Sequence, residues 1–170
     1  MYVLDETFDQ WKLSQSAHDY AQYFDAEWQK DVRALVRKDY SHPSVIMYCV
    51  GNEITDTGLP HGALICQAIS GLFKELDKSR PTTIANNVLL SVMAKKMAEK
   101  KAQEESKEEK TVGSQDVNNV LTLLPKIMAS ITAQNQEALL HDVLQHVDIV
   151  GYNYGESWYA GTHEMVPDRV

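Results

Sequence analysis

Ser44-Val-Ile-Met-Tyr-Cys-Val-Gly-Asn-Glu53 is an unbroken apolar run that ends on a glycine, an amide and a carboxylate. Short, rich in β-branched and aromatic residues and bounded by turn formers, it reads as a buried strand. Side chains alternate along a strand, so Met47, Cys49, Gly51 and Glu53 are expected on one face and Ile46, Tyr48 and Val50 on the other. The larger apolar set suits packing against helices. The set ending in Glu53 would then deliver a carboxylate to the carboxyl end of the sheet on its opposite face. Asn52 can join it only if the strand bends at its end, which Gly51 permits.

Outward from this run, strands alternate with helices, the pattern of a parallel sheet. Tyr2-Val-Leu4 is a short strand that ends in Asp5-Glu6. From Asp25 to Asp39, Trp28, Val32, Leu35 and Val36 recur at helical spacing, with Asp25 placed as an N-cap. His42-Pro43 ends that helix. After the Gly58-Leu59-Pro60 loop, Leu64, Ile65, Ala68, Ile69, Leu72, Phe73 and Leu76 define an amphipathic helix that stops before Pro81. Thr82-Thr-Ile-Ala-Asn86 is a third strand, and Asp148-Ile-Val-Gly-Tyr-Asn-Tyr154 a fourth. About sixty residues separate these two, too many for one crossover. Ala94 to Lys110 holds six Lys and five Glu and reads as a solvated helix or mobile excursion, with the charged region extending over about 94–118. Val120 to Ile131 and Glu137 to Val147 regain apolar periodicity.

Composition narrows the function. A chain of 170 residues with 44% hydrophobic and 24% charged residues is ordinary for a globular domain. The net charge of −8 argues against nucleic acid or an anionic membrane as partner. No apolar run approaches the roughly 18 residues of a membrane span. Met1-Tyr-Val-Leu-Asp-Glu starts acidic and lacks an apolar segment, so it does not read as a signal peptide, and a cytoplasmic protein is favoured. Cys49 and Cys66 lack metal or redox spacing and read as small buried thiols. The six histidines form no ligand cluster, and no metal or organic cofactor is expected.

The stretch Ser41-His-Pro-Ser-Val-Ile-Met-Tyr-Cys-Val-Gly-Asn-Glu53 resembles the acid/base signature of glycoside hydrolase family 2, the β-galactosidase and β-glucuronidase family. Met1-Tyr-Val-Leu-Asp-Glu-Thr-Phe-Asp-Gln-Trp11 resembles the third barrel strand of that family, and Asp148-Ile-Val-Gly-Tyr-Asn-Tyr-Gly155 its sixth. The resemblance implies an α/β fold: residues 1–170 as one fragment of a (β/α)8 TIM barrel, roughly strands 3 to 6 with their helices. A complete barrel takes roughly 250 residues.

Glycoside hydrolysis needs two carboxylates, one as acid and one as nucleophile or base. The resemblance implies that Glu53 is the general acid/base of a retaining β-glycosidase, β-galactosidase-like, acting on a carbohydrate substrate. Asn52 and Asn153 would bond sugar hydroxyls, and Tyr154 and Trp158 would stack on the sugar or sit in the core. Asp5 and Glu6 would line the rim, either as sugar-binding carboxylates or as structural partners of barrel arginines. Some members bind magnesium through a Glu-x-His after the third strand; Thr7-Phe-Asp-Gln-Trp-Lys12 has no His and does not support that site. The resemblance implies that the nucleophile follows on a seventh strand, just beyond a segment like Val166-Pro-Asp-Arg-Val170, and neither Glu156 nor Glu164, which end no apolar strand, is taken for it. The alternatives are a non-catalytic carbohydrate-binding or scaffold module, and β-glucuronidase or β-mannosidase specificity. Four strands cannot close a barrel, so the isolated chain is expected to be inactive and to self-associate through its edges.

Overall fold

The computed structural model describes residues 1–104, 142–155, 159–165 and 167. Its order is β1 (Val3–Glu6), α1 (Ala21–Asp39), β2 (Val45–Asn52), a 3-10 turn (Thr55–Gly58), α2 (Pro60–Leu76), β3 (Thr82–Asn86), α3 (Val88–Glu104), β4 (Ile149–Tyr152) and α4 (Tyr159–Met165). The four strands form one sheet in the order β1-β2-β3-β4, and every neighbouring pair is parallel. Among the described residues no helix is long and apolar enough to cross a membrane. The predicted segment Val120–Ile131 and residues 137–141 of the predicted segment Glu137–Val147 lie outside the described residues, as does 105–118.

One face of the sheet is sealed by helices. Val45, Tyr48, Val50 and Ile84 join Val32 and Val36 of α1 and Ile65, Ile69, Leu72 and Phe73 of α2 in a single buried core. Tyr48 stacks on Phe73 with ring centroids 4.7 Å apart. Phe8 and Tyr20, ahead of α1, and Phe24 and Trp28 in its first turns form a run of ring contacts at 5.4–6.4 Å. Each such pair contributes about 0.5–1.5 kcal/mol beyond its buried area.

The expected helix start at Asp25 is corrected. Helix α1 begins at Ala21, and Asp25 instead pairs with Lys12 at 2.8 Å. Asp19 serves the start, its carboxylate accepting from the backbone N–H groups of Gln15, Ser16 and Ala21. Desolvation works upward on this carboxyl, but those bonds outweigh it and hold it below its ordinary range. Asp19 sits outside the apolar periodicity, which is why spacing alone placed the start too late.

Two further corrections concern β2. Strict alternation put Ile46 against the helices, yet it is 41% exposed while Val45 is buried in the core. The β1–β2 register skips a residue here, pairing Val3 with Val45 but Leu4 with Met47. A second irregularity falls between Cys49 and Asn52, which pair with Thr83 and Ala85. Each extra residue shifts the alternation, as a bulge does. Gly51 therefore does not share the face of Cys49. A Cβ there would lie 2.6 Å from Cγ1 of Ile54 and 3.1 Å from Nε1 of Trp11, both fully buried. Glycine is required at 51 by close approach rather than by backbone conformation.

The amino end of the sheet is fastened by Arg80, whose side chain is 9% exposed. It donates to the carbonyls of Val45 at 2.6 Å, His42 at 3.0 Å and Asp39 at 3.2 Å, and pairs with Asp77. Asp148 fastens β4 in the same way, accepting from Thr82 N–H at 2.8 Å and pairing with Lys74 at 2.8 Å. Cys49 and Cys66 are buried and unpaired, and burial pushes both thiols up to about 12.

Candidate functional site at the carboxyl end of the sheet

The bulge at the end of β2 turns both Asn52 and Glu53 toward the same corner. Asn52 N–H donates to the Phe8 carbonyl at 2.8 Å, and Glu53 N–H to the Ala85 carbonyl at 2.8 Å, so the loop after β1 grips one and β3 the other. Glu53 has φ of 52°, a left-handed conformation that a side chain rarely adopts. It costs of order 1 kcal/mol or more and persists only where the surroundings impose it, commonly at functional sites. The Ala85 bond imposes it from one side. From the other, Gln15 donates its side-chain amide to the Glu53 carbonyl at 3.3 Å and to Thr55 Oγ1 at 3.2 Å.

Three strand ends meet at this corner. Asn153, just after β4, donates its Nδ2 to Asn52 Oδ1 at 2.8 Å and to Glu53 Oε1 at 3.1 Å. Asn87, just after β3, donates its Nδ2 to the same Oε1 at 3.3 Å. Asn52 Nδ2 in turn donates to Asp9 Oδ1 at 3.4 Å. Among the described residues no donor addresses Glu53 Oε2. One oxygen of the carboxyl is thus held by two amides, and among the described residues the other has no donor.

The loop after β1 is built to support this corner. Thr7 continues the pairing past Glu6, its N–H and its hydroxyl both reaching the Cys49 carbonyl. Asp56 is fully buried and accepts from the N–H groups of Lys12 and Leu13 and from His61 Nε2 at 2.8 Å, tying the loop to the 3-10 turn. Trp11 fills the space beneath Gly51, its indole N–H reaching the Val50 carbonyl at 3.2 Å.

The structure brings together Glu53, Asn52 and Asn153 of the residues singled out from sequence. Tyr154 follows at φ of 58° and is 73% exposed, so its ring is open to solvent. Glu6 lies against Cys49 on the sheet face away from the helices. Asp5 points to α1 instead, pairing with Lys38 at 2.5 Å, and Lys38 also reaches Asp39 at 3.2 Å. The partner of Asp5 here is thus a lysine of α1 and not an arginine. Burial works against ionisation at Asp5, but hydrogen bonds with Asp39 and Lys38 hold its carboxyl below the ordinary range. Asp39 is pushed up, by burial first and then by Asp5. Trp158 and Glu156 lie outside the described residues, and Glu164 is exposed on α4. Among the described residues no group of three or more His, Cys, Asp or Glu could hold a metal ion.

Sequence reasoning missed Asn87 and Asp9. A signal for Asn87 was available: alternation through Thr83 and Ala85 reaches residue 87, and Asn-Asn followed by an apolar stretch is a strand-to-helix junction. Asp9 carried none, because only the loop's pairing along β2 brings it to Asn52.

Residues 1–146 match the family model of "Glycosyl hydrolases family 2, TIM barrel domain". The beta-galactosidase BoGH2A of Bacteroides ovatus is 43% identical over 54 residues, 32% of this chain and 6% of that protein. A putative beta-glucuronidase of Formosa agariphila is 41% identical over 54 residues, 31% of this chain and 5% of that protein. A crystal structure of a glycosyl hydrolase family 2 member from Bacteroides cellulosilyticus superposes on 100% of this chain and 16% of its own length, with TM-score 0.68 and 30% identity. The chain thus corresponds to a small part of the relatives it matches. The parallel four-stranded sheet and the matched residues lead to one conclusion: the chain belongs to glycosyl hydrolase family 2 and carries part of its TIM-barrel domain.

Proposed function

We propose that the protein carrying this chain is a retaining β-glycosidase, β-galactosidase-like in its sugar, with Glu53 as general acid/base. The observation that carries this reading is the Glu53 carboxyl at the carboxyl end of a parallel sheet, with Oε1 bound by two amides and Oε2 unaddressed by the described residues. Barrel enzymes of this type keep their chemistry at that end.

In the first step Glu53 gives its proton to the glycosidic oxygen as the leaving group departs, and a second carboxylate attacks the anomeric carbon. In the second step Glu53 takes a proton from the water that releases the sugar. The nucleophile is assigned to sequence beyond Val170, and it must stand about 5–5.5 Å from Glu53 for retention. In this reading Asn52 and Asn153 would bond sugar hydroxyls, the exposed Tyr154 ring would stack on a C–H face, and Glu6 would line the rim. Trp158 would stack on the sugar or sit in the core. No metal or organic cofactor enters this scheme.

The test is Glu53→Gln in the full-length protein, assayed on nitrophenyl and alkyl β-glycosides. General acid–base catalysis is worth about 10²–10⁴-fold, and the full loss should appear on poor leaving groups. Activated aryl glycosides should lose less, and added azide should restore part of their turnover. Equal loss across leaving groups without azide rescue would overturn the role of Glu53. No turnover of any glycoside by the wild-type protein would favour a carbohydrate-binding module. A panel of β-galactoside, β-glucuronide and β-mannoside reads out the sugar, with the galactoside expected to be fastest.

A further inference from the structure

Asn87 occupies two roles at once. It precedes the first residue of α3, and its Oδ1 accepts the Leu89 N–H at 3.1 Å, the bond of an N-cap. That bond fixes the orientation of the amide: with Oδ1 spent on the helix, Nδ2 must face the other way, onto Glu53 Oε1. The helix is itself pinned. Thr57 Oγ1 and Ser91 Oγ are 2.7 Å apart and buried, and a Cβ on Gly58 would lie 2.0 Å from the Ser91 carbonyl oxygen. Asn87 therefore cannot drift from the carboxyl without shifting α3.

The second donor on Oε1 is anchored separately. A carboxylate only accepts, so Asp9 orients Asn52, whose Oδ1 then orients Asn153 toward Glu53. Two independently fixed N–H groups on Oε1 leave no room for a proton on that oxygen. We propose that Asn87 is a positioning residue that directs the exchangeable proton of Glu53 to Oε2. The proposal rests on the acid/base role of Glu53 given above.

The consequence is a pH signature. An N–H donor favours the ionised carboxyl over the acid. Removing one donor makes the acid form persist to higher pH, so the alkaline limb of the kcat/KM profile moves up. The other charged or titratable groups near this corner are Asp9, which reaches it through Asn52, Glu6 against Cys49, and Tyr154 after β4. Among the described residues β3 and α3 present only uncharged groups here, Asn86, Asn87 and Ser91. Apart from Asn87 itself, none of these changes between wild type and variant.

The experiment uses the full-length protein and the nitrophenyl glycoside it cleaves fastest. Asn87→Ser keeps an N-cap side chain but is too short to donate to Glu53; Asn87→Asp keeps the cap and sets a second carboxyl against the first. The alkaline limb should rise in Asn87→Ser and rise further in Asn87→Asp, with the acid limb unmoved and thermal midpoints near wild type. Activity should fall more on poor leaving groups than on activated ones. An unmoved alkaline limb in Asn87→Ser, or equal shifts in Asn87→Ser and Asn87→Asp, would overturn the proposal. Should one variant not fold, the limb position in the other decides alone. Glu53→Gln run in parallel separates the two ideas. If it shows the acid/base signature while the Asn87 variants do not, only the positioning role fails; if it shows none, the parent reading fails as well.

Discussion

Replacing Asp77 with Asn should destabilise the domain by an amount that depends on pH. The Asp77 side chain is 2% exposed at the carboxyl end of α2. Its Oδ1 accepts from Ser79 N–H at 2.9 Å and Ser79 Oγ at 2.5 Å, and its Oδ2 from Tyr48 Oη at 3.2 Å and from Arg80. Burial works upward on this carboxyl, but the four donors outweigh it and hold it at about 2 against an ordinary 3.8. A depressed carboxyl contributes stability that is present above its unfolded value and lost as pH falls through its folded value. Nearly two pH units at about 1.4 kcal/mol each make the pH-dependent part about 2.5 kcal/mol. Asn at 77 can keep the Ser79 contacts but leaves the buried Arg80 guanidinium without its anion, a larger loss of about 3 kcal/mol near neutrality. Urea unfolding followed by tryptophan fluorescence, on wild type and Asp77→Asn at steps from pH 7 to pH 2.5, measures the difference directly. The gap between the two proteins should be constant above about pH 5 and narrow steadily below pH 4. A gap that stays flat to pH 2.5, or is under about 0.5 kcal/mol at pH 7, would show that the Asp77–Arg80 contact does not carry the charge assigned to it.

Gly51→Ala sets a methyl group 2.6 Å from Ile54 and should cost about 1–3 kcal/mol by overpacking, while kcat/KM falls because Glu53 is displaced two residues on. A variant with wild-type midpoint and activity would contradict the close approach. Cys49 and Cys66, buried with thiols pushed up to about 12, should resist iodoacetamide at pH 8 until urea unfolds the protein; rapid alkylation of the native state would refute their burial. Residues 1–170 purified alone should hydrolyse no aryl β-glycoside, and turnover abolished by Glu53→Gln would disprove this. The same preparation should self-associate through the β1 and β4 edges, where Tyr2 is 81% and Leu4 46% exposed, and light scattering of a monomer at high micromolar concentration would count against it.

How much of this was legible beforehand depends on the kind of information each feature needs. The strand over Thr82–Asn86 and the helix ending at Leu76 follow from local periodicity and from proline, which act within a few residues. So does the placement of Glu53 at a strand end, because an apolar run must stop where its polar residues begin. The start of α1 was misplaced because Asp19 works through backbone bonds that leave no apolar trace. Ile46 and Gly51 were assigned to the wrong faces because each bulge depends on a partner strand that sequence does not display.

The sequence by itself determined the parallel α/β architecture, the carboxylate at the end of β2 and the family. Those are properties of hydrophobic spacing and of a motif contiguous in the chain. Tertiary structure alone decided that Asn87, Asn153 and Asp9 converge on Asn52 and Glu53, across sequence separations of 34 to 101 residues. It also decided that Glu53 sits in a left-handed conformation gripped by Ala85 and Gln15. The physical reason is that a hydrogen bond between distant residues exists only once the sheet has set its register. Here that register is fixed by a glycine too close to Ile54 to carry a side chain and by two bulges in a single strand.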